Sequence, residues 1–234
     1  MSVTTNYVSL AVSDGTTMQA YTATPEGDGL FTGLLLFQEA FGVNAHIRSL
    51  AERFAAEGFL TIAPELFHRT APAGFEGSYS DFASVAPHFQ GLTPEMTEAD
   101  IHAVHNWLTN NNKVRENDIV STGYCMGGRV SFHANCIVPL RVAVSYYGGG
   151  IAAQLIHRAP ELHGPMLFFW GGLDQHITHE QVEQVVLALK NAGKDYVNVE
   201  ISYANHGFFC DARPSYHPKA AREAWPLTLA FLKG

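Results

Sequence analysis

By residue type, order and spacing, Cys125, Asp174 and His206 are the three residues of this chain best suited to nucleophilic chemistry. Cys125 lies in "STGYCMGGRV" (121–130), where Gly123-Tyr124-Cys125-Met126-Gly127 reads G-x-C-x-G, a thiol where a hydroxyl nucleophile is usual. Between a strand and a helix such a pentapeptide makes a tight turn. Small residues are needed where the backbone crowds its neighbours, and Gly123, Gly127 and Gly128 supply them. The turn carries the nucleophile to a helix N-terminus, where unpaired amides and the positive dipole end favour negative charge. The amide of Met126 would be one oxyanion donor. The plain alternative is a cysteine buried as a small hydrophobe in an ordinary turn.

Chain order favours the chemical reading. Nucleophile, acid and histidine, each at the carboxyl end of a strand, make a hydrolytic triad. Asp174 follows the apolar run in "FFWGGLDQHIT", and His206 follows the next one in "YANHGF", at separations of 49 and 32 residues. His206 would act as base towards Cys125, and Asp174 would orient its ring and stabilise its charge. Taken singly, each could be a loop residue capping a turn. Glu39 closes "LLLFQE", either as a carboxylate flanking a turn or as a partly buried group near the nucleophile. The amide of Ala40, from the same loop, is the natural second oxyanion donor.

These residues require a scaffold of strands and helices. "YVSLAVSDGTTMQAYTATP" alternates and turns at Asp14-Gly15, which predicts an N-terminal hairpin. Strands are expected at "GLLLFQE", "FLTIAPEL", "DIVSTG", "LRVAVSYYGG", "GPMLFFWGGLD" and "YVNVEISYA", the first two as buried strands. Helices are expected after the cap Asn44 with a stop at Gly58, from Thr93-Pro94 to about Asn110, over Met126–Asn135, over "THEQVEQVVLALKNAG", and at the C-terminus with a bend or restart at Pro226. The stretch from Phe67 to Leu92 reads as irregular. The pattern predicts an α/β fold in one domain over residues 1–234. Its central sheet is mostly parallel, with helices on both faces and an antiparallel N-terminal hairpin.

Composition sets outer bounds. The 234 residues are 47% hydrophobic and 15% charged, with a net charge of −8 and no basic runs, so no nucleic acid or membrane partner is expected. The N-terminus lacks the pattern of a secretory signal. Three cysteines without metal-type spacing fit a reducing cytoplasm. Twelve histidines raise a metal-dependent reading, with His102 and His105 or His176 and His179 as pairs. Neither pair has a clear third ligand, and "HITHE" is not H-E-x-x-H, so no metal or cofactor is expected.

Taken together, "QEAFGVN", "APELFHR", "GYCMGGR", "YYGGG", "GGLDQHI" and "NHGF" resemble the dienelactone hydrolase family of the α/β-hydrolase fold. The resemblance implies a Cys125-His206-Asp174 triad. It also implies that Glu39 contacts the thiol and controls its ionisation. It departs at the family's substrate-carboxylate arginines. Cys210 stands where one belongs, with Arg213 nearest, and Arg69 matches a different family arginine. Aromatic residues fill the neighbourhood: Phe41, Phe75, Tyr79, Phe82, Tyr124, Phe208 and Phe209. An unpaired carboxylate would be costly among them, so a small, neutral, fairly apolar aryl ester or lactone is expected as substrate, cleaved through a thioester. A neutral phosphotriester is a lesser target. A non-catalytic small-molecule binding module is the reading from another class. Monomer and homodimer both stay open.

Overall fold

β-Branched and aromatic residues in alternation, broken by Asp14-Gly15, fold as that pattern requires. In a computed structural model describing residues 2–234, β1 (Val3–Ala11) pairs antiparallel with β2 (Thr17–Pro25), from Val3 opposite Pro25 to Ala11 opposite Thr17. Gly15 takes φ 86°, and Asp14 accepts the amide of Thr16 at 3.0 Å.

The chain packs as two compact units, the first ending at Val120 and the second spanning Ser121–Gly234. In the first, the strand order is β1-β2-β4-β3. β3 (Phe31–Phe37) and β4 (Phe59–Pro64) are buried throughout and run parallel, with Leu34 opposite Thr61. Full burial explains their continuous apolar runs. Asn44 accepts the amide of Ile47 at 3.2 Å and starts α1 (Ala45–Ala56), which buries Ile47, Leu50, Phe54 and Ala55. Thr93 caps α3 (Pro94–Thr109), which turns Ile101, Val104, His105 and Leu108 inward. β5 (Val114–Tyr124) begins in this unit beside β3, where Thr32 Oγ1 donates to Asp118 at 2.7 Å.

The segment expected to be irregular contains a helix, α2 (Phe82–Gly91), capped by Asp81. Val85 is its only buried residue and Pro87 lies inside it, so it shows no apolar stripe for periodicity to reveal.

In the second unit β5, β6 (Ala143–Tyr146), β7 (Met166–Gly171) and β8 (Tyr196–Ile201) lie side by side, all parallel. The parallel pairs and the N-terminal hairpin give the expected mostly parallel architecture. α4 (Met126–Ile137) follows β5, and α5 (His179–Asn191) opens with a capping box between Thr178 and Gln181. β6 is shorter than its apolar run, and two short helical turns, 151–155 and 156–161, follow it. α6 (Pro218–Lys233) runs through Pro226 without restarting. Among the described residues no helix is long and apolar enough to cross a membrane.

Candidate active site

The end of β5 must turn sharply to enter α4, and the glycines permit it. Cys125 caps α4 with φ 56° and ψ −117°, a left-handed φ that costs a non-glycine residue on the order of 1–3 kcal/mol. Its amide donates to Tyr146 O at 3.0 Å, and its carbonyl accepts from Gly128 at 3.0 Å. A Cβ at residue 123 would fall 1.9 Å from Gly127 O, and one at residue 128 would fall 2.6 Å from Tyr146 O. The strain at Cys125 is therefore held by close backbone contacts that only glycine allows. Met126 is the first residue of α4, so its amide has no partner within the helix.

Three strand ends bring the polar groups together. Asp174 lies just beyond β7, where its Oδ1 accepts the amides of His176 at 2.7 Å and Ile177 at 3.1 Å. Its Oδ2 lies 2.7 Å from His206 Nδ1, and His206 Nε2 lies 3.2 Å from Cys125 Sγ. Burial opposes charge on His206 most strongly. The negative charge at Cys125 and the hydrogen bonds to Asp174 and Cys125 outweigh it, and its pKa is pushed up to about 10. Burial would likewise raise Asp174, but the bond and charge of His206 and the two amides bring it below the usual carboxylate range. Sulfur, imidazole and carboxylate thus form one hydrogen-bonded line able to hold a thiolate–imidazolium pair. One turn along α4, the Arg129 guanidinium lies against Gly150, where a Cβ would come within 2.8 Å of Nη1. Burial lowers the Arg129 pKa, and charge at Cys125 opposes that.

The first unit holds Glu39, Ala40 and four of the aromatic candidates. Glu39 is fully buried and accepts a hydrogen bond from Tyr79 Oη at 2.9 Å, and Tyr79 in turn accepts from Asn44 Nδ2. Ala40 is buried in the same turn. Phe41 packs on Tyr79 at 4.6 Å, and Phe75 packs on His88 at 4.6 Å. Gly42, at φ 80°, lets the Phe75 carbonyl approach, since a Cβ there would lie 2.1 Å from it. Phe82, at the start of α2, is 50% exposed.

Three of the aromatic residues expected to line a pocket are buried in the core. Tyr124 stacks on Tyr146 at 4.6 Å and meets Phe209 at 5.5 Å, while Phe208 packs on Tyr147 at 5.4 Å. Tyr124 and Phe208 have no exposed surface and Phe209 has 2%. The arginines differ from each other. Arg69 is committed to Asp100, at 2.8 and 2.9 Å, and to Asp14 at 2.7 Å. Arg213 lies against Gly207, next to His206, where a Cβ would meet its Nη1 at 2.6 Å. Cys210 is buried. His102 pairs with Glu98 on the surface while His105 is buried, and His179 pairs with Glu183 and Glu200.

Two rings that the sequence reading did not place at this site touch His206: Tyr147, with centroids 5.0 Å apart, and His176, at 5.3 Å. Their spacing from His206 gave no signal, because the contacts join separate loops.

Comparison with known proteins fits this architecture. The pattern of the dienelactone hydrolase family matches residues 18–234. An Escherichia coli O157:H7 protein named "Putative carboxymethylenebutenolidase" is 35% identical over 234 residues, covering 94% of this chain and 84% of that protein. A crystal structure titled "Putative Dienelactone Hydrolase", from Klebsiella pneumoniae subsp. pneumoniae MGH 78578, superposes with a TM-score of 0.89 at 30% identity. That match covers 100% of this chain and 99% of the other. A dienelactone hydrolase-like promiscuous phosphotriesterase from metagenomic libraries shares the fold, with a TM-score of 0.86 at 21% identity over 100% and 98% of the two chains. Agreement over nearly the whole length, in sequence and in the order of strands and helices, means that this chain has the α/β-hydrolase fold and belongs to the dienelactone hydrolase family.

Proposed function

We propose that this chain hydrolyses activated carboxylic esters, aryl esters above all, or lactones, with Cys125 as nucleophile, His206 as acid and base, and Asp174 as its orienting carboxylate. The observation that carries the reading is the unbroken line from Cys125 Sγ through both nitrogens of His206 to Asp174, at 3.2 and 2.7 Å. The thiolate of Cys125 attacks the carbonyl carbon, and the amide of Met126 stabilises the oxyanion. The tetrahedral adduct expels the alcohol oxygen, which takes the proton from His206 Nε2, and a thioester remains on Cys125. Neutral His206 then takes a proton from water, and the resulting hydroxide attacks the thioester. Carboxylic acid leaves, and the thiolate–imidazolium pair returns. Glu39 and Ala40 enter through the family resemblance of their segment, Glu39 as modulator of the thiol and Ala40 as second oxyanion donor. Thiolates are good nucleophiles and good leaving groups, so esters with acidic alcohols and lactones suit them better than amides.

A neutral substrate is supported by the engagement of Arg69 with two carboxylates and by the buried Cys210. A second reading, a carboxylate-bearing ester or lactone, is favoured by Arg213, whose guanidinium lies beside the turn carrying His206. The test is a panel of p-nitrophenyl esters, lactones, carboxylate-bearing analogues of each and a phosphotriester, run on wild type, Cys125→Ser, Glu39→Gln and Arg213→Met. The proposal expects ester and lactone turnover that collapses in Cys125→Ser. Equal turnover by Cys125→Ser and wild type would contradict it. Selective loss of the carboxylate-bearing substrates in Arg213→Met would decide for the second reading.

A further inference from the structure

The hydrolytic reading leaves His176 unused. Its amide is fixed on Asp174 Oδ1 at 2.7 Å, and its ring meets that of His206 edge to face, with centroids 5.3 Å apart and planes at 82°. The His176 side chain is solvent-exposed, so the core does not require it. A second ring, Tyr147, contacts the same imidazole at 5.0 Å and 58°. Tyr147 is fully buried and adopts φ 37°, a left-handed conformation uncommon for a bulky residue. Its amide donates to Phe169 O at 2.7 Å, which pins it there. His206 thus has one ring contact fixed in the core and one at the solvent side.

The polar hold on His206 is not constant through the proposed cycle. In the resting pair both nitrogens are bonded, to Asp174 and to the sulfur. Once the leaving alcohol has taken the Nε2 proton, the sulfur is a neutral thioester and that bond is gone. The Asp174 bond and the two ring contacts then hold the imidazole in line for water. We infer that His176 is a positioning residue whose ring holds His206 in the catalytic orientation during hydrolysis of the acyl-enzyme. The inference rests on the hydrolytic reading above. It concerns the second half-reaction and a group with no direct part in bond making.

Burst kinetics with p-nitrophenyl acetate test it, on wild type, His176→Ala, His176→Phe and His176→Gln, with Cys125→Ser as control. In His176→Ala the burst rate stays within about twofold of wild type, while the steady-state rate falls about three- to tenfold, the scale of one lost ring contact to an imidazolium or imidazole. His176→Phe keeps a ring without hydrogen-bonding nitrogens and recovers the steady-state rate, whereas His176→Gln does not. The thermal midpoint is unchanged in all three, as expected at an exposed position. A wild-type steady-state rate in His176→Ala would overturn the inference. So would recovery by Gln and not by Phe, which would mark a polar contact to substrate. Turnover that survives Cys125→Ser would instead remove the hydrolytic reading itself.

Discussion

Replacing Asp174 by asparagine changes almost no volume, yet the surrounding bonds force its consequence. Oδ1 is already committed to the amides of His176 and Ile177. An asparagine keeps its carbonyl oxygen there and so turns its NH2 towards His206 Nδ1. That nitrogen must then accept, which places the ring proton on Nε2 and disfavours the imidazolium. The lost attraction is large because screening is small: the Asp174 side chain is 1% exposed and that of His206 10%. Unit charges about 4 Å apart attract by about 4 kcal/mol at an effective dielectric near 20. A factor of ten in rate is about 1.4 kcal/mol, so the ceiling is roughly three orders of magnitude. Retention of a hydrogen bond and relaxation of the loop reduce this, and the expected fall in the acylation rate is about 10²- to 10³-fold. Stopped-flow acylation with p-nitrophenyl acetate measures it, with circular dichroism to confirm the fold. A fall of less than about tenfold in a folded variant would refute the assignment of Asp174 as the charge that sustains His206.

Other consequences follow from the same contacts. Gly123→Ala would place a methyl 1.9 Å from Gly127 O, so the elbow must distort; a loss of at least about 3 kcal/mol is expected in chemical denaturation. Arg69→Met leaves the fully buried Asp100 with His68 alone, and a loss of about 3–5 kcal/mol is expected. Calorimetry checks the stability, and the ratio of turnover between neutral and carboxylate-bearing esters should not move. His206 has a raised pKa in the fold, so its ion pairs stabilise fully below its ordinary 6.5 and lose that contribution as pH rises through about 10. An NMR titration of the His206 ring should show it protonated through neutrality and deprotonating near 10, and at lower pH in Asp174→Asn. A wild-type midpoint near 6.5 would contradict the pairing.

Much of this site was legible because its determinants are local. Glycines at 123 and 128 announce a backbone that approaches its neighbours closely, and the structure puts Gly127 O and Tyr146 O where a side chain would otherwise stand. Strand ends could be read from runs of β-forming residues, fully buried in β7 and largely exposed in β8, which placed Asp174 and His206 within a few residues of them. Asn44 and Thr93 cap their helices as their residue types suggest. What escaped the sequence depends on packing between distant segments. The helix α2 buries one residue and carries an internal proline, so neither periodicity nor composition marks it. Tyr124, Phe208 and Phe209 neighbour Cys125 and His206 in sequence but satisfy their apolar surface by packing against Tyr146 and Tyr147. The same holds for His176, which spacing paired with His179 and the fold sets against His206.

In the proposed reaction the thiol of Cys125 carries the acyl group. Intact-mass and peptide-mapping mass spectrometry on protein quenched with acid during turnover of p-nitrophenyl acetate tests this directly. One added acetyl group, mapped to the peptide containing Cys125, labile to hydroxylamine and absent from Cys125→Ala, is the predicted result. Sustained ester turnover by Cys125→Ala, or acetyl groups found only on other residues, would contradict it.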